Sequence, residues 1–294
     1  EIREGDCVGR GEALGVYYLG ETEETMLAQL ESIADKLVAG ANRHDLLDLL
    51  PPGGARNAAD AALWDLEAQL SGKSAWEMAG VEPNPVETDL TIGLEAEPED
   101  MARKAAAAPD YDLLKIKLDD DRPVERIAAI RKVRPDARLI VDVNGGWTFE
   151  QLQRFSPDLQ RFGVELIEQP LPRGEDSELE GYLCPIPLCA DESCLHLGEL
   201  EQAANRYQFI NIKLDKTGGL THALQLAHAA KAKDLGIMVG SMCGSSLAMA
   251  PHHVVAQLAE YVDIDGPLLM KNDRIGGLVY DRGFVSLPET RFWG

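Results

Sequence analysis

The 294-residue sequence holds only five cysteines, Cys7, Cys184, Cys189, Cys194 and Cys243, with no C-x-x-C pair among them. An odd and scattered set argues against a disulfide framework or a zinc site, and a reducing cytoplasm is the simplest compartment. No stretch approaches the roughly 18 uninterrupted apolar residues of a membrane span. The opening Glu1 to Asp6 is charged rather than basic and then apolar, so no signal peptide is expected. Cations are scarce: 28 Lys and Arg face 50 Asp and Glu, a formal charge of −22. Sequence-independent binding to nucleic acid or to an anionic membrane relies on clustered Lys and Arg, so neither is expected as a partner.

What is present is enough apolar content, 45%, to bury a large core, and a regular alternation that starts near residue 86. Apolar runs at Glu87 to Leu94, Leu113 to Leu118, Arg138 to Val143, Val164 to Gln169, Leu188 to Asp191, Phe209 to Leu214, Ile237 to Ser241 and Val262 to Asp265 read as strands. Helical periodicity lies between most of them, as at Val124 to Val133 and Leu220 to Leu235. Eight strands with intervening helices predict an α/β barrel of the (β/α)8 type over residues 86–275, with function at the C-terminal strand ends.

Residues 1–85 break that alternation. A strand-like start, a Gly-rich stretch from Gly9 to Gly20, a helix from Glu23 to Val38, Pro51-Pro52-Gly53-Gly54 and a helix from Ala58 to Leu70 capped by Asn57 suggest a smaller α+β domain. The stretch Gly276 to Leu287 reads as strand, turn (Asp281 to Gly283) and strand, and 276–294 is expected to pack back on that domain. The chain opens in mid-strand, which predicts a further segment before Glu1.

Five ionisable residues, Lys117, Asp142, Glu168, Asp191 and Lys213, each end an apolar run, at successive gaps of 25, 26, 23 and 22 residues. That spacing is one strand, one helix and two loops, so one side chain per unit is aimed at a common point. Side chains two apart share a strand face: Lys115 joins Lys117 opposite Leu114, Ile116 and Leu118, and Asn211 joins Lys213 opposite Ile210, Ile212 and Leu214. The same parity pairs Asp142 with Asn144, Cys189 with Asp191, and Asp263 with Asp265.

Three carboxylates give oxygen-only ligation, which favours Mg2+, with Mn2+ as the alternative, over zinc. Such a cation binds a substrate carboxylate and stabilises the enediolate left when the α-proton departs. Lys117 and Lys213, on the second and sixth strands, would face each other across it. A lysine is a base only when neutral, and nearby cationic charge, from the metal or from Lys115, is expected to lower its pKa. Two opposed bases allow a proton to leave from one face and return to the other, inverting a stereocentre.

These residues sit in stretches that resemble the muconate-lactonising subgroup of the enolase superfamily: Lys115-Ile116-Lys117, Val141-Asp142-Val143-Asn144, Ile167-Glu168-Gln169-Pro170-Leu171, Ala190-Asp191-Glu192-Ser193 and Asn211-Ile212-Lys213-Leu214. Within it the likeness is to the dipeptide epimerases and covers nearly the whole chain, Pro51 to Leu66 included. The resemblance implies a modified (β/α)7β TIM barrel under an α+β capping domain, one Mg2+ per subunit on Asp142, Glu168 and Asp191, and acid/base roles for Lys117 and Lys213. It makes Lys115 an auxiliary cation near the substrate carboxylate and Asn144 a polar contact.

In that family an Asp-x-Asp like Asp263-Ile264-Asp265 grips the α-ammonium of a dipeptide. L-Ala-L-Glu is then the default substrate. Some bacterial relatives carry an Arg in the Gly-rich loop that reads Gly15-Val16-Tyr17-Tyr18-Leu19-Gly20-Glu21 here. Without it the preference for Glu stays open, since Tyr17, Tyr18 and Leu19 would equally suit a more apolar second residue, with Tyr18 as a substrate contact. Elimination of the o-succinylbenzoate synthase kind, cycloisomerisation and non-catalytic binding of a small molecule stay open as alternatives, and so does a homo-oligomer. The expected role is in cell-wall peptide metabolism.

Overall fold

A computed structural model of the chain describes residues 1–288 and 291–294. The chain begins with an antiparallel hairpin of β1 (Ile2–Glu4) and β2 (Cys7–Gly9), then α1 (Glu23–Val38), α2 (Leu46–Leu49), α3 (Gly54–Ser71) and α4 (Ala75–Ala79). Thr22 caps α1 by accepting the Thr25 N–H, while Thr25 Oγ1 accepts the Thr22 N–H in return. α3 starts earlier than the sequence suggested. Its first N–H, that of Gly54, donates to both carboxylate oxygens of Glu21 at 3.0 and 3.1 Å, so the end is capped from the loop and Asn57 lies inside the first turn.

After β3 (Val86–Glu87) come β4 (Leu90–Ile92), α5 (Pro98–Ala106), β5 (Leu113–Lys117), α6 (Pro123–Val133), β6 (Arg138–Asp142), α7 (Phe149–Arg161) and β7 (Val164–Glu168). β8 (Leu188–Ala190), α8 (Leu200–Ala204), β9 (Phe209–Ile212), α9 (Leu214–Thr217), α10 (Leu220–Lys231), β10 (Gly236–Val239), α11 (Ser246–Ala256) and β11 (Tyr261–Val262) complete the series. Strands β4 to β11 form one parallel sheet in sequential order, and the Asp89 N–H donates to Val262 O at 2.9 Å, joining the first edge to the last. This is the expected (β/α)7β-type barrel. Between β7 and β8 the connection carries a single 3-10 turn, Ser177–Leu179, rather than a full helix.

The predicted strand Glu87 to Leu94 divides in two. Val86–Glu87 pairs with the hairpin of β12 (Val279–Asp281) and β13 (Phe284–Ser286), whereas Leu90–Ile92 joins the barrel. The switch happens at Thr88, whose N–H donates to Gly283 O, and at Asp89, whose N–H turns to Val262. The chain end returns further: Trp293 Nε1 donates to Arg10 O and Ala61 O, and the Gly294 N–H to Asp65.

Strand parity sorts the interior into two layers. Leu114, Ile116, Val141, Ile167, Ile210, Ile212, Ile237 and Val239 face outward and pack with Met101, Ile127, Leu152 and Leu226 of the surrounding helices. Leu113, Ile140, Leu166, Cys189 and Met238 face inward and fill the barrel as a separate apolar plug. On four of these strands the next inward residue, toward the C-terminal end, is ionisable (Lys115, Asp142, Glu168 and Asp191), and after Met238 it is Gly240.

α3 docks on the barrel through buried polar contacts. Arg56 donates to Gly218 O, Thr217 O and Leu50 O, and Asp60 accepts both the Thr221 N–H and its hydroxyl. Gly218 has φ 74°, and a Cβ there would lie 2.5 Å from Arg56 Nε, so the close approach requires glycine.

Candidate active site

The structure brings Lys115, Lys117, Asp142, Glu168, Asp191, Lys213 and Asp263 to one end of the barrel, linked by ion pairs. Registry does part of this: Lys117 is aligned with Asp142 and Asp142 with Glu168 on adjacent strands. Lys117 Nζ donates to Asp142 Oδ2 at 2.6 Å and to Asn144 Oδ1 at 2.8 Å. Lys213 Nζ donates to Asp191 Oδ2 at 2.7 Å. β5 and β9 stand four places apart in the eight-strand order, so the two lysines approach the carboxylates from opposite walls. Room for the second exists because Gly240 follows β10, where a Cβ would meet Lys213 Cε at 3.0 Å.

Lys115 is the hub. Its buried ammonium lies 3.1 Å from Asp142, 2.7 Å from Glu168 and 2.7 Å from Asp263. Burial pushes the Asp142 carboxyl up, but Lys115 and Lys117 outweigh it and hold the pKa below the ordinary value. Asp191 is held down in the same way against its burial by Lys213 and Lys216. Glu168 goes the other way, raised by burial and by the neighbouring Asp142 charge. For Lys213 burial acts downward, yet Asp191 and Glu168 carry its pKa above the usual lysine value. The expected lowering is not seen for this lysine among the chain's own charges, because carboxylates surround it.

The backbone is shaped to match. Asn144 and Gln169, just beyond β6 and β7, adopt left-handed φ of 47° and 38°. Gln169 Oε1 accepts the N–H groups of Asp191 and Ser193, and its Nε2 donates to Leu171 O, which shapes the turn carrying Asp191. The loop before α1 reaches over: the Gly15 N–H donates to Asp215, Glu12 accepts from Ser245 and Arg274, and Tyr18 stays 37% exposed. The Tyr18 phenol is raised by burial and by the Asp191 charge.

Several participants were not singled out from the sequence. Lys216 is fully buried and donates to Asp191 Oδ1 at 2.6 Å and to the carbonyls of Asp191 and Asn211. Asn211 Nδ2 donates to Glu168 Oε1 at 2.6 Å, a contact its shared face with Lys213 could have suggested. Glu192 accepts from Asn144. Asp89 precedes β4 and is fully buried; it falls inside the predicted first strand, where an acidic residue was the available signal.

Among the described residues, the buried carboxylates with oxygens all within 4.8 Å of one another, a spacing that suits a metal ion, are Asp89, Asp263 and Asp265. Asp142, Glu168 and Asp191 are instead paired with the ammonium groups of Lys115, Lys117, Lys213 and Lys216. The latter set nonetheless has the donor chemistry for a hard divalent cation. It offers three buried carboxylates at consecutive strand ends, and among the described residues Glu168 Oε2, 2.7 Å from Lys115 Nζ, has no hydrogen-bond partner.

Parallel β/α barrels that gather carboxylates and lysines at the C-terminal strand ends form the class to which this fold and site belong. The chain belongs to the enolase C-terminal domain-like family, which matches residues 98–291. An L-Ala-D/L-Glu epimerase of Escherichia coli K12 is 39% identical over 290 residues, covering 98% of this chain and 90% of its own. An N-acetyl-D-glutamate racemase of a Pseudoalteromonas species is 43% identical over 250 residues, covering 85% and 79%. A solved enolase family member from Agrobacterium tumefaciens, described as homologous to dipeptide epimerases and as holding sodium and L-Ala-L-Glu, superposes with a TM-score of 0.94 at 43% identity, covering 99% and 90%. A Cytophaga hutchinsonii dipeptide epimerase complexed with Mg and D-Ala-L-Val gives 0.88 at 28% identity, covering 96% and 83%.

Proposed function

We propose that the chain is a Mg2+-dependent dipeptide epimerase that inverts the α-carbon of the second residue of an L-Ala-L-Xaa dipeptide, with L-Ala-L-Glu as the reference substrate. The observation that carries this reading is Lys117 and Lys213 on opposite walls with three carboxylates between them. Lys117 and Lys213 take the α-proton from one face and return one to the other, their roles exchanging with the substrate's configuration. Asp142, Glu168 and Asp191 would hold the cation. When bound it supplies positive charge that stabilises the developing carboxylate dianion and offsets the field that keeps Lys213 protonated. Lys115 steadies Asp142 and Glu168 and faces the substrate carboxylate; Asn144 and Gln169 set the two strand ends. Asp263 and Asp265 receive the dipeptide's α-ammonium, and Tyr18 closes the loop side.

Residues 1–85 form the cap in this reading, residues 86–275 the catalytic barrel, and recycling or breakdown of cell-wall peptides is the metabolic setting. A cytoplasmic location fits that setting. No helix among the described residues is long and apolar enough to cross a membrane.

A second reading, racemisation of an N-acyl amino acid, is favoured by the 43% identity to the N-acetyl-D-glutamate racemase. It uses the same two lysines but leaves Asp263 and Asp265 without a cationic partner from the substrate. Proton NMR in D2O with Mg2+ separates the two, using L-Ala-L-Glu, L-Ala-apolar dipeptides and N-acetyl-glutamate. Loss of the second residue's α-proton signal with growth of the diastereomer supports the proposal, and exchange in N-acetyl-glutamate alone supports the second reading.

A further inference from the structure

Two ammonium groups share the Asp191 carboxylate on unequal terms. Lys213 Nζ holds Oδ2 at 2.7 Å, and among the described residues that is its only hydrogen bond. Lys216 Nζ holds Oδ1 at 2.6 Å and also donates to Asp191 O at 2.7 Å and to Asn211 O at 2.8 Å, with Cys194 O a further acceptor at 3.3 Å. An ammonium carries three N–H donors, so the acceptors around Lys216 use all of them. Lys216 is saturated and fixed, whereas Lys213 has a single bond to give up.

The fold holds Lys216 in place from both directions. The ladder between β8 and β9 ends where Ala190 pairs with Ile210, and the carbonyls of the next residue on each strand, Asp191 and Asn211, both accept from this one ammonium. α9, which carries Lys216, is fixed in turn: the Lys216 and Thr217 N–H groups donate to Lys213 O, and Arg56 donates to Thr217 O and Gly218 O. On the far side, Gln169 Oε1 accepts the Asp191 N–H. Lys216 cannot follow a moving partner without undoing this turn.

We propose that Lys216 is a positioning residue of the active site: it is the permanent partner of Asp191, so that Lys213 can leave this carboxylate while Asp191 keeps both its orientation and a counter-charge. A buried carboxylate with no cation beside it is costly, and the fixed lysine removes that cost from the step in which Lys213 moves. The inference rests on the two-lysine reading above and deepens it, dividing neighbouring lysines into a base and an anchor. Lys216 acts through Asp191 and is not itself a catalytic residue.

The test is calorimetric titration of Mn2+ into the metal-free wild type, Lys216→Met and Lys213→Ala, with α-proton exchange from L-Ala-L-Glu and L-Ala-D-Glu in D2O at saturating Mn2+ alongside. Losing a partner that orients a metal-binding side chain costs about 10–100-fold in affinity, so Lys216→Met is expected to bind Mn2+ at least ~10-fold more weakly. Lys213→Ala removes a competitor for Oδ2 and is expected to bind at least as tightly as wild type. In Lys216→Met, Lys213 is left as the sole ion-pair partner of Asp191. Exchange from the enantiomer that Lys117→Ala still serves is therefore expected to fall at least ~10-fold further than exchange from the other, in kcat rather than KM. A lysine that only stitches β8 to β9 lowers both faces alike and leaves Mn2+ affinity unchanged. Either result overturns the proposal, as does tighter Mn2+ binding in Lys216→Met or weaker binding in Lys213→Ala. Lys216→Gln, which keeps N–H donors without the charge, replaces Lys216→Met if circular dichroism shows that variant unfolded, and the Lys213→Ala titration needs neither. A wild type and variants that bind Mn2+ in this order but exchange no α-proton keep the anchor and remove the epimerase reading.

Discussion

Removing either opposed lysine should stop inversion without stranding a buried charge. In Lys213→Ala, Asp191 keeps Lys216 at 2.6 Å from Oδ1; in Lys117→Ala, Asp142 keeps Lys115 at 3.1 Å. Breaking a buried ion pair by deleting one partner costs about 3–5 kcal/mol when the other is left alone. Here the surviving ammonium groups cut that cost, and we expect unfolding free energies within ~1–2 kcal/mol of wild type. The rate effect is far larger. A positioned base contributes about 10²–10⁴-fold, and inversion needs both, so epimerisation should fall by at least ~10³, equivalent to ~4 kcal/mol of barrier. The remaining lysine can still exchange the α-proton of the enantiomer whose hydrogen points toward it. Proton NMR in D2O with L-Ala-L-Glu and L-Ala-D-Glu should therefore show exchange without inversion, with opposite enantiomer preference in the two variants. Epimerisation within tenfold of wild type in either variant would refute the two-base argument.

Other outcomes follow from the same structure. Chelation should abolish exchange and Mg2+ should restore it, while Mg2+ at about 100 times its Kd should raise unfolding free energy by ~2.7 kcal/mol. That rise should vanish in Glu168→Gln, and its loss in Asp263→Asn instead would put the cation at the other carboxylate cluster. Arg56→Ala withdraws donors from the carbonyls of Gly218, Thr217 and Leu50, and should lower stability in urea by roughly 3 kcal/mol or more. Asp60 is held by burial at about 6, above the ordinary carboxylate value of 3.8, so the folded state binds its proton more tightly than the unfolded state. Its contribution is full below pH 4 and is lost as pH rises through 6. The stability difference between wild type and Asp60→Asn should therefore fall by up to ~3 kcal/mol from pH 4 to pH 7 in urea titrations.

The sequence by itself determined the barrel and most of the site's composition. Period-2 parity in Leu113 to Leu118 and Phe209 to Leu214 has one physical outcome once both faces are buried: aliphatics go to the helices and charges go inward. The regular gaps between Lys117, Asp142, Glu168, Asp191 and Lys213 follow from the length of a β/α unit, so their convergence at one end could be read in advance. Local chemistry likewise marked the hairpin around Asp281 to Gly283 and the span of α1.

Only the tertiary structure decided what depends on contacts distant in sequence. The strand foreseen over Glu87 to Leu94 divides because Thr88 and Asp89 find different partners, Gly283 and Val262, 195 and 173 residues away. The start of α3 is set by Glu21, 33 residues earlier, rather than by a neighbouring cap. Lys216 reaches Asp191 from a helix turn beyond β9, a position outside the strand pattern. The grouping of Asp89 with Asp263 and Asp265 exists only where the barrel closes. Parity and spacing act through the chain's own geometry and are therefore local. Seam closure, distant caps and the balance of buried charge are properties of the assembled barrel, where the low dielectric makes each unpaired carboxylate count.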